Sequence, residues 1–202
     1  MDNALNSLFP LTPNEGTLAC LVHRVVNKFG NQVCLQAGIK KVTYLDLDNS
    51  SDDIAAFLRG NGYQRSHILF VKPGETFASC VVMLAGIKSG MTLTEPEKHL
   101  AEGDIRGLFK KSVLTFANGT FEDQHKRLPF SDALKLGKSQ LFFNIPRINE
   151  NDAVFVSFTC GYLNPEIISH KYALLMTEGL CQREVPISFI RFLSCWKDNR
   201  PY

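Results

Sequence analysis

The sequence predicts an α/β fold, a parallel-rich sheet with flanking helices. Dense apolar runs such as "HILFVK" and "DAVFVSF" have the character of strands buried on both faces. Between them lie stretches whose apolar residues recur at helical spacing. Turn-formers such as Gly30 and Pro73-Gly74 punctuate the alternation.

The elements follow in order. In "TLACLVHRVVNKFG", Leu18, Leu21, Val22, Val25, Val26 and Phe29 mark one face of a helix that Gly30 ends. His23 and Arg24 fall on its polar face, a solvated position rather than a catalytic one. "QVCLQAGIKKVTY" reads as a β-hairpin turning at Ala37-Gly38. A second helix carries Leu47, Ile54, Phe57 and Leu58 and stops at Gly60 or Gly62, with Asp52-Asp53 read as solvated helix charges. "HILFVK" is the buried strand, and "KPGE" its end, a turn and a helix cap. The helix in "TFASCVVMLAGIKSG" follows, then a strand in "MTLT", a helix in "EKHLAEGDIRGLFKK" and a strand in "SVLTF". Residues 1–116 are therefore expected to form a first α/β sub-domain. Residues 117–150 read as an irregular connection holding a short helix or strand. Residues 151–202 supply a strand, a turn, the helix "SHKYALLMTEGL" and a tail packing on the same body, with Ile187, Phe189, Ile190, Phe192, Leu193 and Trp196 requiring burial.

Composition excludes several function classes. With 45% hydrophobic and 21% charged residues the chain is globular rather than disordered. A net charge of +2 is too small for a non-specific nucleic-acid binder, and His125-Lys126-Arg127 reads as solvated surface. Six scattered cysteines without a CxxC pair argue against a disulfide framework and a zinc site, and fit a reducing, cytoplasmic setting. No HxxxH or HxH pair suggests a metal centre. The N-terminus has no signal-peptide pattern and no apolar run reaches membrane-spanning length. The sequons at Asn49 and Asn118 are read as chance. No Gly-x-Ser-x-Gly elbow is present, and the adjacent Ser169-His170 lack the spacing of a nucleophile and its base. Cys160 with His170 would make a thiol–imidazole pair, against the plainer reading of an inert buried cysteine.

Three stretches in order resemble the adenylate-forming superfamily of acyl-CoA synthetases, luciferases and nonribosomal peptide synthetase adenylation domains. "VTYLDLDNSSDDIAAFLRGNGYQRSHILF" resembles its first core motif. "VVMLAGIKSGMTLTEPEKHLAEGDIRGLF" resembles the second, with Lys88, Ser89 and Gly90 in the Lys-Ala-Gly place and Pro96 slightly late. "DAVFVSFTCGYLNPEIISHKYALL" resembles the third, a phosphate loop trailed by Ser-His. The resemblance implies the early sub-domains of that family's large N-terminal domain, ending shortly after the phosphate loop. It also implies Thr159, Gly161 and Ser169 as the nucleotide-contacting positions.

The departures decide the functional expectation. Such a loop works because glycines let backbone N–H groups converge on phosphate while a lysine brings mobile positive charge. Here Cys160 replaces a serine, Tyr162 and Leu163 replace small residues, Glu166 adds a negative charge, and no lysine precedes Lys171. A carboxylate beside a triphosphate repels it. The family's magnesium-binding acid, ribose-binding aspartate and catalytic lysine come later in its members and are not located in these 202 residues. The expectation is a non-catalytic, truncated adenylation-domain-like module with a degenerate turn and no catalytic or metal residue. No cofactor is expected, ATP or AMP entering only if the turn still binds. The resemblance implies a protein partner in a carrier-protein-dependent (nonribosomal peptide or polyketide) system: a synthase module, a carrier protein or a second copy. Nucleic acid and membrane are not expected partners. The alternatives are half of a split acyl-adenylating enzyme completed by a second chain, and a small adenylate-binding regulator.

Overall fold

A computed structural model of the chain describes residues 16–37, 39–65, 67–71, 76–95, 113–123, 126–140, 146–158 and 165–181. Helix α1, Leu18–Phe29, begins where Thr17 accepts a hydrogen bond from the Cys20 amide at 3.3 Å. It buries Leu18, Ala19, Val22 and Val25, and its outer face leaves His23 and Arg24 exposed. Strands β1, Val33–Ala37, and β2, Lys40–Thr43, form the expected hairpin, a two-stranded ribbon separate from the main sheet. Thr43 then starts α2, Tyr44–Gly60, through a reciprocal cap. The Thr43 amide donates to the Asp46 carboxylate at 3.0 Å and the Asp46 amide donates to Thr43 Oγ1 at 3.1 Å. The Thr43 amide, joined by the Thr43 hydroxyl donating at 2.7 Å, holds the Asp46 carboxyl below its usual range.

The main sheet has seven strands in the order β7-β6-β5-β3-β4-β8-β9. Its parallel centre comprises β3 (Ile68–Val71), β4 (Thr92–Thr94), β5 (Val113–Ala117) and β8 (Ala153–Phe158). Antiparallel strands extend both sides: β6 (Thr120–Glu122) and β7 (Arg127–Pro129) beyond β5, and β9 (Pro165–Ser169) beyond β8. The sheet is thus mixed, with its parallel part in the middle. Helix α3, Phe77–Lys88, makes the crossover from β3 to β4 and is buried from Cys80 to Ile87. Ser89 and Gly90 end it: Gly90 takes φ +70°, and the Met91 amide reaches back to the Gly86 carbonyl at 2.9 Å. The Lys88-Ser89-Gly90 triplet is therefore a helix stop.

Alternation along β3 explains why its run is apolar throughout. Leu69 and Val71 face a core shared with every described helix, and Ile68 and Phe70 join Val113 and Val156 in a second cluster on the opposite face. On the first face α2 packs between α3 and α4 (Phe130–Lys138), while α5 (His170–Cys181) packs against α1.

Two expectations are corrected. Residues 117–150 are not an irregular connection, because β6, β7 and α4 lie within them and extend the same body. Asn118 and Gly119, both at positive φ, make the two-residue turn that joins β5 to β6. Asp52 is not merely solvated: Lys88 reaches across from α3 to Asp48 at 2.7 Å and Asp52 at 2.6 Å. Desolvation at this seam raises the Asp52 carboxyl, with Lys88 opposing the shift. The helix expected over 97–111 and the tail from 182 onward lie outside the described residues.

The α2–α4 crossing requires a glycine. A Cβ on Gly137 would enter the space held by the backbone carbonyl of Asp53, which no side-chain rotation can clear. Alanine is otherwise favoured in a helix by up to about 1 kcal/mol, so the sign of Gly137→Ala discriminates. The clash should win, destabilising the fold by about 1–3 kcal/mol in urea unfolding. A neutral or stabilising result would mean that the two helices cross less closely.

Candidate functional site

The parallel strands set the geometry of the site. In an open α/β sheet ligands collect beyond the carboxyl ends of the strands. Here that edge is formed by Val71, Thr94, Ala117 and Phe158. Two threonines on β4 tie it to β8: Thr94 Oγ1 donates to the Val156 carbonyl at 2.8 Å, and Thr92 Oγ1 to the Ala153 carbonyl at 3.3 Å. The first of these bonds is buried, which fixes β8 just before the turn that follows it.

That turn is short. Phe158 pairs with Pro165 and Ala153 with Ser169, so β8 and β9 form a hairpin closed by residues 159–164. Thr159, Cys160 and Gly161 lie in this interval, outside the described residues. Ser169 does not join them, because it stands at the other end of β9. It lies four steps of extended strand beyond Pro165, roughly 14 Å. Of the three expected positions only Ser169 is described, and it sits at the amino edge. Ser169 acts there as a helix cap, its Oγ accepting the Tyr172 amide at 3.2 Å.

His170 is placed by the same register. The His170 amide donates to the Asp152 carbonyl at 3.0 Å and the Lys171 amide to the Glu150 carbonyl at 2.8 Å. The ring is fully buried, with Nδ1 accepting the Leu18 amide at 3.3 Å. An accepting Nδ1 puts the proton on Nε2, which has no hydrogen-bond acceptor among the described residues. Two helix N-termini, those of α1 and α5, converge on this neutral imidazole, and their dipoles disfavour a positive charge. Burial lowers its pKa to about 4, with Asp152 pulling weakly the other way. His170 starts a helix at the amino edge, and the Cys160 of the thiol–imidazole reading lies outside the described residues.

Asp152 was not singled out by sequence, yet it organises the amino edge. Its carboxylate accepts from Arg65 at 2.5 Å and from the Asn149 amide at 2.9 Å, and its carbonyl accepts from His170. The usable signal was the Asn149-Glu150-Asn151-Asp152 cluster of turn-forming side chains ahead of β8. Among the described residues no group of His, Cys, Asp and Glu could hold a metal ion, and no helix is long and apolar enough to cross a membrane.

No family model and no curated protein matches the chain. Solved structures do. The N-terminal subdomain of NpsA from Klebsiella oxytoca, in complex with 3-hydroxyanthranilyl-AMSN, is 18% identical with a TM-score of 0.62, over 77% of this chain and 41% of that one. NpsA-ThdA, an artificially fused adenylation-PCP di-domain nonribosomal peptide synthetase from the same organism, gives a TM-score of 0.62 at 18% identity, over 77% and 30%. The anthranilate CoA ligase AuaEII, in complex with anthranoyl-AMP, gives 0.61 at 12% identity, over 80% and 36%. At these identities the likeness establishes the fold, that of the N-terminal part of adenylate-forming enzymes. The chain spans well under half the length of the structures it matches.

The state of His170 makes stability depend on acid. The unfolded ring titrates near 6.5 and the folded one near 4, so the unfolded chain takes up the extra proton between those values. Stability is complete above pH 6.5 and falls by about 3 kcal/mol as the pH drops to 4, at about 1.4 kcal/mol per pKa unit. Urea midpoints of the wild type should show this slope, and His170→Gln should flatten it. An equal slope in the variant would assign the acid sensitivity elsewhere.

Proposed function

We propose that the chain is a non-catalytic adenylation-domain-like module, a structural or protein-interaction element of a carrier-protein-dependent biosynthetic system of the nonribosomal peptide or polyketide kind. The observation that carries the reading is the closed β8–β9 hairpin. Its register leaves only 159–164, Thr-Cys-Gly-Tyr-Leu-Asn, to form the phosphate turn.

That interval has one glycine and no cation. A phosphate cradle needs several successive amides free to point inward, and the bulk of Tyr162 and Leu163 opposes such a path. The first residue after the proline that opens β9 is Glu166, exposed and negative. Nearby charge of the required sign is also missing from the rest of the hairpin: Lys171 is at the amino edge, paired with Glu150 at 3.4 Å. The similar proteins are solved with acyl-adenylate ligands or as a fusion to a carrier domain. The carrier setting is taken from them, while adenylate binding is assigned to them and not to this chain.

Calorimetric titration of the purified protein with Mg-ATP, and separately with an acyl-adenylate analogue, tests the reading. The expected outcome is no saturable heat and no shift in melting temperature at millimolar ligand. Saturable binding abolished by Thr159→Ala would contradict it, showing that the turn still holds phosphate.

A further inference from the structure

The chain's positive charge is unevenly placed. Between Glu15 and Asp46 the sequence contains no aspartate or glutamate, but it contains Arg24, Lys28, Lys40 and Lys41. Folding keeps all four exposed on α1 and the β1–β2 hairpin. Elsewhere Arg65, Lys88, Arg127, Lys135, Lys138 and Lys171 each hold a carboxylate, while Lys126 and Arg147 stand singly without one among the described residues. Arg24, Lys28, Lys40 and Lys41 hold none among the described residues. Asp46, the first acid reached along the chain, is engaged in the cap of α2. Lys28 lies over the Phe29 ring at 5.2 Å and Lys40 over Phe77 at 5.8 Å, contacts that position a cation without neutralising it.

The local geometry brings the elements that carry these charges together. The Leu45 amide donates to the Gly30 carbonyl at 2.9 Å and the Tyr44 amide to the Gln32 carbonyl at 3.1 Å, which seats the base of the hairpin against the end of α1. From Arg24 to Gly30 the helix rises about 9 Å, and from Tyr44 back to Lys41 the strand runs about 10 Å. The four cations therefore fall within roughly 25 Å, inside the footprint of an ordinary protein interface of about 800 Å² per partner. Val33, Ile39 and Leu45 are exposed on the same ribbon and helix start, Ile39 completely. Apolar side chains interspersed with unpaired cations have the composition of a docking face awaiting a complementary one.

We propose that the outer side of α1 and the β1–β2 hairpin dock an acidic protein surface. The proposal rests on the carrier-protein setting given above and names the face that would meet such a partner. Four cations are few for a nucleic-acid footprint, where six to ten phosphate contacts are usual. Three separate apolar residues do not make the continuous apolar face of a membrane-surface helix. A carboxylate-bearing protein surface uses both features together.

The test uses the whole chain and a purified peptidyl carrier protein of net negative charge, with binding followed by calorimetry in low and high salt. Saturable binding is expected, weakened at least tenfold in K40E/K41E and further in R24E/K28E/K40E/K41E, and steeply reduced by salt. The substituted side chains are exposed, and melting curves would verify that the variants stay folded. Binding unaffected by these reversals would overturn the docking face while leaving the carrier setting in place. No binding of the carrier to the wild type would overturn both. Binding to vesicles of phosphatidylglycerol, or to a short DNA duplex, in place of the carrier would overturn the protein-surface assignment.

Discussion

The antiparallel register of β8 and β9 is the constraint on which the functional reading depends. By setting Phe158 against Pro165 and Ala153 against Ser169 it fixes the length of the turn, the end of the sheet at which each residue stands, and the start of α5. A one-residue slip would turn Ile168 away from the main core and Ile167 toward it. The observed burial, Ile168 packed on that core and Ile167 58% exposed, pins the pairing. Beneath it, the two threonines of β4 anchor β8 from the other side.

The two edges of the sheet do different work. The carboxyl edge, formed by Val71, Thr94, Ala117 and Phe158, has the position of a ligand site in an open α/β sheet. The amino edge is assembled by structural hydrogen bonds: Asp152 to Arg65 and Asn149, His170 to Leu18, Ser169 to Tyr172. Ser169 and His170, which adjacency to the turn in sequence suggested as functional, are absorbed into that assembly. Their chemistry is that of a cap and a buried acceptor. On the outer side of α1 and the β1–β2 hairpin, Arg24, Lys28, Lys40 and Lys41 hold no carboxylate among the described residues.

Much of the architecture was legible from the residues. The apolar face of α1 ended by Gly30, the β1–β2 hairpin and the uniformly apolar β3 are local devices, and local devices can be read from sequence. Three features were not read. Asn118-Gly119 is a hairpin signal that was passed over because the strands on either side are only three to five residues long. The segment "PEIIS" was read within the phosphate loop that Ser-His trails, and its pairing with β8 makes it a strand. The clasp of Lys88 on Asp48 and Asp52 joins residues 40 and 36 positions apart, a distance at which spacing carries no information. The turn was the reverse case. Its loss of glycine and lysine was plain in the sequence, and the structure adds the pairing of Phe158 with Pro165 on either side of it.

The most direct test of the account is a set of backbone proton–proton contacts across residues 153–170, measured by nuclear magnetic resonance on the labelled protein. The account predicts cross-strand contacts linking Val156 with Ile167 and Ala153 with Ser169, with helical contacts beginning at His170. Helical contacts running through 165–169 would contradict it and take Ser169 out of its pairing with β8.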